Sequence, residues 1–595
     1  MVEKKKENSK SNSIGGFLIF LAAVFLINTV ADRWYKRFDL TKEKRYTLSE
    51  STKNLLDKLN DEVYITVYLD GELPIEYKRL KTSVKDMLNE YRYESGGNVS
   101  YNFEDILADR SIEEKREILQ QLHQQGLKIE VPELADDEVA GERYIVPSAM
   151  VVYRGREYPL NFLKREFGKP LEQEINGSIE LLEYEIGNVL RKCIAGRELK
   201  LAIVEGHGEL GPMETADIAK ELSDFYRVER ISINLSDTNC IKLFAKEVLA
   251  NPERQSEVLI ESLIKKLNTY QGIIIAKPTI PFKEVEKFIL DQYVMNGGKV
   301  IWLVESLIAE MDSIASSGTG RFMTANHAHN LDNLLFNYGA RVEATLVQDL
   351  QSHGIQAINR QTNRPDFKPW WFYPLFNPAD DNMITRNLES VWGRFCSTID
   401  TTANRSAKKT ILLKSSKFSR VAHNPVMISL DQLEVRPDEN NFRNPGQISA
   451  VLLEGGFRSA FKYRPGMRRN LEIDYKDTVE ENAMIVIGDG DLIRNQISTD
   501  KSQVYPLGYD KFGSQSFGQP VNFANKKFFL NCVDYLCDES NIIEVRSKEI
   551  VLRLLDKERV REEKKKWQWI NMGLPILIVV IFGGINAFYR RRKWQ

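Results

Sequence analysis

Two stretches without a charged side chain bracket this chain and constrain its fold more than anything between them. Residues 11–31 contain IGGFLIFLAAVFLINTVA and residues 567–589 contain MGLPILIVVIFGGINAF. At 1.5 Å of rise per residue, either is long enough as a helix to cross roughly 30 Å of hydrocarbon. Trp34, Tyr35, Trp567, Trp569 and Tyr589 mark the borders, where amphipathic rings prefer the headgroup layer. A cleaved signal peptide is the alternative for the first stretch, because KKKENSK resembles a basic leader and TVA stands before Asp32. Its apolar run exceeds the roughly 7–15 residues of a signal core, which favours an uncleaved anchor.

Lys4, Lys5, Lys6 and Lys10 precede the first stretch, and Arg590, Arg591, Arg592 and Lys593 follow the second. The positive-inside bias then puts both tails in the cytoplasm and everything between the spans outside it. Lys564, Lys565 and Lys566 argue the other way, but they flank a very long loop, where charge counts little. The formal net charge of −2 over 595 residues supplies no basic field to collect nucleic acid. Cys193, Cys240, Cys396, Cys532 and Cys537 contain no CxxC and no regular spacing. Such a set is neither a disulfide framework nor a zinc site. Buried free thiols or a single disulfide remain.

Between the spans the pattern is α/β. YTLSESTKNLLDKL reads as a helix capped by Ser49 or Ser51, followed by strand VYITVYL, a helix with Val84, Met87, Leu88 and Tyr91 on one face, and strand NVSYNFEDI. A charged helix at 112–125 leads to a hairpin around Gly155. The order β-α-β-α-β-β suits a thioredoxin-like domain without a redox cysteine pair. From residue 199, the apolar runs KLAIVEG, GIIIAKP and KVIWLVES alternate with helices. Runs without polar alternation are what a parallel sheet covered on both faces requires, which predicts a doubly wound domain. The expected divisions are a basic tail 1–13, a membrane helix 14–31, an α/β domain 40–170, a linking helix 171–198, an α/β domain 199–540 elaborated at about 310–480, a juxtamembrane segment 541–566, a membrane helix 567–589 and a basic tail 590–595.

Two loops carry the candidate chemistry. In EGHGE an extended backbone brings Glu205, His207 and Glu209 to one face, a geometry for a metal or an acid–base pair. The competing reading is a turn lining a pocket without catalysis, its glycines serving the chain reversal. Asp489 and Asp491 in GDGD either flank the same crevice or cap a following helix. No HExxH, G-x-S-x-G or phosphate loop occurs; NGGKV ends a helix instead of opening one. No catalytic residue, cofactor-binding residue or metal ligand is therefore assigned, and no cofactor is expected. His327, His329 and His353 stand in polar surroundings and read as solvated or hydrogen-bonding side chains. Trp370, Trp371, Phe372, Tyr373 and Phe376 form either a core cluster or an exposed patch for a partner. Gly573, Gly583 and Gly584 in the last apolar stretch offer a close-packing face toward another membrane helix.

RYTLSESTKNLLDKLNDEVYITVYLDG, PFKEVEKFILDQYVMNGGKVIWLVES, NPADDNMITRNLESV, MIVIGDGDLIRN and NKKFFLNCVDYLCDES, closed by an apolar terminal helix, together resemble the ABC-transporter auxiliary family, in particular its gliding-motility members from Bacteroidetes. The resemblance implies a class I glutamine-amidotransferase-like fold for the second domain, without the catalytic cysteine. It implies a non-catalytic scaffold subunit in the bacterial inner membrane, with a large periplasmic region, a separate ABC ATPase and a multi-span permease as partners, and a role in gliding and its associated secretion. Two alternatives stay open, an extracytoplasmic ligand-binding subunit and a hydrolase- or amidotransferase-like enzyme.

Overall fold

The computed structural model describes residues 47–131, 144–165, 168–195, 199–358, 364–379, 382–402, 406–538, 543–546 and 557–593. The membrane helix expected at 14–31 lies outside these residues. The chain divides into a large compact unit ending at Lys548 and a second unit from Glu549 to Gln595.

The large unit opens with helix Glu50–Leu56, capped by Ser49, whose side chain accepts the Thr52 N–H. The Glu183 carboxylate, from the linking region, accepts both the Ser49 N–H at 2.6 Å and the Thr52 hydroxyl at 2.9 Å. Strands β1 (Val63–Val67), β2 (Val99–Phe103), β3 (Ser148–Tyr153) and β4 (Arg156–Asn161) form a sheet in the order β2-β1-β3-β4. β1 runs parallel to β2 and antiparallel to β3, as a βαβ unit followed by a hairpin requires. The hairpin turns on Arg154 and Gly155, both at positive φ (49° and 72°), the signature of a two-residue loop matched to strand twist. Helix Ile75–Glu94 buries Tyr77, Leu80, Val84, Leu88 and Tyr91 on that sheet, a stripe at three- and four-residue spacing. The single linking helix expected at 171–198 is two, Leu171–Glu180 and Leu182–Ala195.

The second sheet has strands β5 (Lys200–Glu205), β6 (Arg227–Ser232), β7 (Gly272–Ala276), β8 (Lys299–Leu303) and the strand Thr478–Ile487, all parallel in the spatial order β6, β5, β7, β8, Thr478–Ile487. Alternate residues serve opposite faces. Leu201, Ile203, Ile274 and Ile301 pack in the core that holds Ile218 of helix Ala216–Ser223 and Phe528 of helix Asn525–Cys537. Ala202, Val204, Ile273 and Trp302 pack in the core that holds Leu263 of helix Gln255–Leu267 and Phe288 of helix Glu284–Met295. Burial on both faces explains the absence of polar alternation in these runs.

The elaboration does not stand apart from the sheet. Strands Ile448–Arg458, Ala407–Lys414, Pro365–Pro378 and Ser352–Ile358 extend it antiparallel beyond Thr478–Ile487. The elaboration thus makes the sheet a mixed one, because direct returns between neighbouring strands give antiparallel pairs whereas helical crossovers give parallel ones. Trp370, Phe372, Tyr373 and Phe376 are buried and Trp371 is half-buried. Tyr373 packs edge-on to Trp392 and Phe395. The exposed-patch reading is corrected for Trp370, Phe372 and Tyr373, which the core takes up, whereas Trp371 stays half-buried.

In the second unit, helix Lys557–Lys593 contains Glu563–Tyr589, apolar and long enough to cross a membrane, with mean hydropathy 2.0. A Cβ added at Gly573, Gly583 or Gly584 would meet nothing within 4 Å.

Candidate functional site

The carboxyl ends of adjacent parallel strands are where an open α/β sheet binds ligands, because the loops there diverge to opposite faces and leave a crevice. Here those ends carry the loops at 206–209, 277–280, 304–306 and 488–491, in the sheet positions of β5, β7, β8 and Thr478–Ile487. Both loops singled out in the sequence belong to this set.

The EGHGE side chains do not share a face. Glu205, the last residue of β5, pairs with Arg230 of β6, and Arg230 also donates to the Thr215 hydroxyl at 2.9 Å and the Leu210 carbonyl at 2.7 Å. The chain then turns at Gly206 (φ 104°) and Gly208 (φ 72°). A Cβ on Gly206 would stand 2.8 Å from Asn234 Cβ, so both backbone conformation and space demand glycine there. His207 is turned inward and fully buried. Its ring stacks on Phe282 with centroids 3.8 Å apart, and Nε2 lies 3.1 Å from Glu286 Oε2. Glu209 accepts the His207 main-chain N–H at 2.6 Å and presents its other oxygen 3.7 Å from Nδ1. Burial opposes charging of the imidazole, but the two carboxylates outweigh it and raise its pKa. The His207 carbonyl accepts the N–H groups of Thr279 and Ile280, both at 2.8 Å, which ties this turn to the loop after β7. His207 is a buried rivet inside the turn, its ring held between Phe282 and the Glu209 and Glu286 carboxylates.

The GDGD loop is also turned inward. Asp489 accepts the Arg394 N–H at 2.9 Å, the Cys396 thiol at 3.1 Å and the Asp491 N–H at 2.9 Å. Burial, followed by the Asp491 charge, pushes Asp489 up to about 6. Neither aspartate caps a regular helix, since a turn follows; the expected cap is corrected to an internal aspartate turn and an ion pair. Asp491 pairs with Lys277 at 2.7 Å and Arg494 at 3.2 Å. Lys277 directly follows β7, at φ 54°, and also pairs with Glu310 at 2.9 Å and Glu305 at 3.5 Å. Glu305 accepts the Gly490 N–H at 3.1 Å. Burial pushes Glu305 well up despite Lys277, and burial, followed by the Asp489 charge, pushes the Cys396 thiol well up.

Lys277, Glu286 and Glu305 were not singled out in the sequence, and Cys396 was named only among the five cysteines. The signal for two of them was present. Lys277 and Glu305 immediately follow the apolar runs GIIIA and KVIWLV, as Glu205 ends its own. Of the two roles expected for them, His329 and His353 take the hydrogen-bonding one, and both are buried. His329 Nδ1 accepts the Leu331 N–H at 3.1 Å, and His353 Nε2 meets Asp510 at 2.7 Å among Phe367, Trp392 and Phe523. All five cysteines are free, Cys537 being half-buried and the others buried. Two cavities lie away from the strand ends. One of about 800 Å³ is lined by residues of β4, β6 and Lys192, and one of about 240 Å³ by Tyr68, Asp70, Asp105 and neighbours.

A family model described as an ABC-type uncharacterized transport system matches residues 198–532, the span of the mixed sheet. The chain belongs to this family. Its role is accordingly that of an accessory protein associated with a transport complex. A second family model, described as a domain of unknown function (DUF7088), matches residues 42–152, over the N-terminal sheet. A protein of Borreliella burgdorferi, named as an uncharacterized protein, is 22% identical over 603 residues, covering 98% of this chain and 99% of its own. Among solved structures, the mmIFT52 N-terminal domain matches at 11% identity with a TM-score of 0.30, over 57% of this chain and 97% of its own. At that score the likeness carries no argument.

Proposed function

We propose that this family member is a non-catalytic scaffold subunit that assembles with a separate ABC ATPase and a multi-span permease. The observation supporting it is the closure of the strand ends. Lys277, buried among Asp491, Glu305 and Glu310, occupies the position where a catalytic or ligand-binding α/β protein of this topology keeps its crevice. An enzyme or ligand-binding reading needs polar groups converging on open space. Here His207 and Asp489 are spent on internal contacts. In this reading the thioredoxin-like and amidotransferase-like assignments of the two sheets describe scaffolds, as does the division at 40–170 and 199–540.

The proposed setting is the bacterial inner membrane, with both termini cytoplasmic, the large unit periplasmic and Glu563–Tyr589 as an anchor. A part in gliding motility and its secretion machinery rests on the sequence resemblance alone. The deciding experiment is affinity purification of the full chain from detergent-solubilised membranes. Co-purification of an ATPase and a permease in stable ratio is expected; recovery of the chain without either overturns the proposal. Deletion of the gene with motility and secretion intact overturns the gliding part only.

A further inference from the structure

We propose that loop 459–477 binds the anionic headgroup layer of a lipid bilayer, Tyr463 entering the layer and the cations around it meeting phosphate. The loop joins strand Ile448–Arg458 to strand Thr478–Ile487, and Arg458 pairs with Thr478 at the start of the latter. It therefore stands at the amino ends of the parallel strands, the end of the sheet away from Lys277. Its base is fixed. Asp291 of helix Glu284–Met295 accepts the Ser459 hydroxyl at 2.6 Å and the Ala460 N–H at 2.9 Å. The buried Phe461 ring packs edge-on to Phe288, with centroids 5.5 Å apart. The tip faces solvent. Tyr463 is 86% exposed, the most exposed large apolar side chain among the described residues, and Arg464, Pro465, Gly466, Arg468 and Arg469 are exposed beside it.

Residues 458–469 carry Arg458, Lys462, Arg464, Arg468 and Arg469 and no acid. Arg464 pairs with Glu284 at 2.6 Å, and Arg468 stands 4.5 Å over the Tyr475 ring. Lys462, Arg468 and Arg469 form no ion pair among the described residues. On the return half, Glu472 pairs with Arg254 at 2.6 Å and Asp477 hydrogen-bonds with Tyr475, which leaves Asp474 as the free acid of the loop. Glu480 and Glu481 belong to the following strand and pair with none of these cations. The position selects a bilayer as occupant. Helix Asn525–Cys537 ends at the same amino ends, since a Cβ added at Gly272, the first residue of β7, would stand 2.7 Å from Cys537 Sγ. From there the chain continues to the helix holding Glu563–Tyr589, apolar and long enough to cross a membrane. Neither cavity described above includes the loop. A lone ring on a charged tip offers too little area for a stable polypeptide interface, whereas a headgroup layer takes an aromatic ring and several cations without matching shape. The inference rests on Glu563–Tyr589 as a membrane anchor and not on the transport-complex reading, so failure to recover an ATPase leaves it standing.

The test reconstitutes the full chain into vesicles of phosphatidylglycerol and phosphatidylcholine in equal parts, beside vesicles of phosphatidylcholine alone. Gly466→Cys, where an added Cβ meets nothing within 4 Å, carries an environment-sensitive dye, and the parent chain treated alike gives the background from its own thiols. In the anionic vesicles a nitroxide on the lipid headgroup is expected to quench the dye, with quenching falling as salt rises. R468E/R469E and Tyr463→Ser are each expected to lower the quenching at least about twofold. All three side chains are exposed, so the variants should keep their circular dichroism; where the double variant does not, Arg469→Gln alone is read and should act in the same direction. Equal quenching in phosphatidylcholine, equal quenching in either variant, or a dye that responds to polyglutamate and not to vesicles each overturns the proposal, the last by showing a site for acidic polypeptide. Release of the chain by alkaline carbonate would remove the anchor reading alone, because the same quenching comparison on released chain returned to vesicles still decides the loop.

Discussion

Lys277 Nζ lies 2.7 Å from Asp491 Oδ2, joining the loop after β7 to the loop after Thr478–Ile487 across the adjacent end of β8. Both side chains are buried, and Glu305 and Glu310 complete the lysine's surroundings. Removing one partner from such a group leaves buried charge without compensation. Lys277→Met should destabilise the large unit by about 3–5 kcal/mol. The double variant Lys277→Met/Asp491→Leu should recover part of that loss. Urea unfolding of the purified chain reads both; a single variant within about 1 kcal/mol of the parent would show that the cluster is solvated.

His207 fixes a pH dependence. Its folded pKa is raised by Glu209 and Glu286. Its contribution is therefore fully present below the unfolded value near 6.5 and is lost as pH rises through the folded value. Asp489, raised to about 6, acts in the same direction at lower pH: the folded state holds its proton longer, so stability falls between about pH 4 and 6. Thermal unfolding from pH 6.5 upward should show declining stability, flattened in His207→Gln. An unchanged slope in that variant would assign the decline to other groups.

Glycine substitutions should divide by location. Gly208→Val places a β-branched residue at φ 72° with its Cβ driven into Thr279. It should lower the yield of folded protein or cost roughly 1–3 kcal/mol from backbone strain alone. Replacing Gly583 and Gly584 together by Leu meets nothing within the chain. That pair should leave folding and membrane insertion unchanged and weaken recovery of the permease, because small residues let membrane helices approach closely. Normal recovery would reduce the helix to an anchor.

Membrane orientation can be read from an exposed turn. Gly96 and Gly97, at φ 63° and 95°, close helix Ile75–Glu94, and no side chain crowds them. A protease site inserted between them should be cut by protease added to intact spheroplasts, whereas a reporter fused after Gln595 should be protected. Protection of both sites would overturn a periplasmic large unit.

Local chemistry in the sequence determined the elements. The runs GIIIA and KVIWLV, apolar at successive positions, had to become strands buried on two faces, and a helix had to start at Ser49 or Ser51, whose side chains can satisfy a free N–H; the cap is Ser49. The chain reversal at Gly155 and the apolar length of 567–589 were equally explicit. What tertiary structure alone decided was which elements meet. β5 lies between β6 and β7, and strands Ser352–Ile358, Pro365–Pro378, Ala407–Lys414 and Ile448–Arg458 continue the same sheet; no local propensity encodes either pairing. The same holds for the site. Charged residues at strand ends were legible as positions, but Lys277 and Asp491 are 214 residues apart. An exposed lysine and a buried, compensated one read identically in sequence. Likewise the rings of Trp370 and Phe372 seek burial wherever they stand, and only the placement of strand Pro365–Pro378 over Phe395 and Trp392 determined that the chain itself covers them.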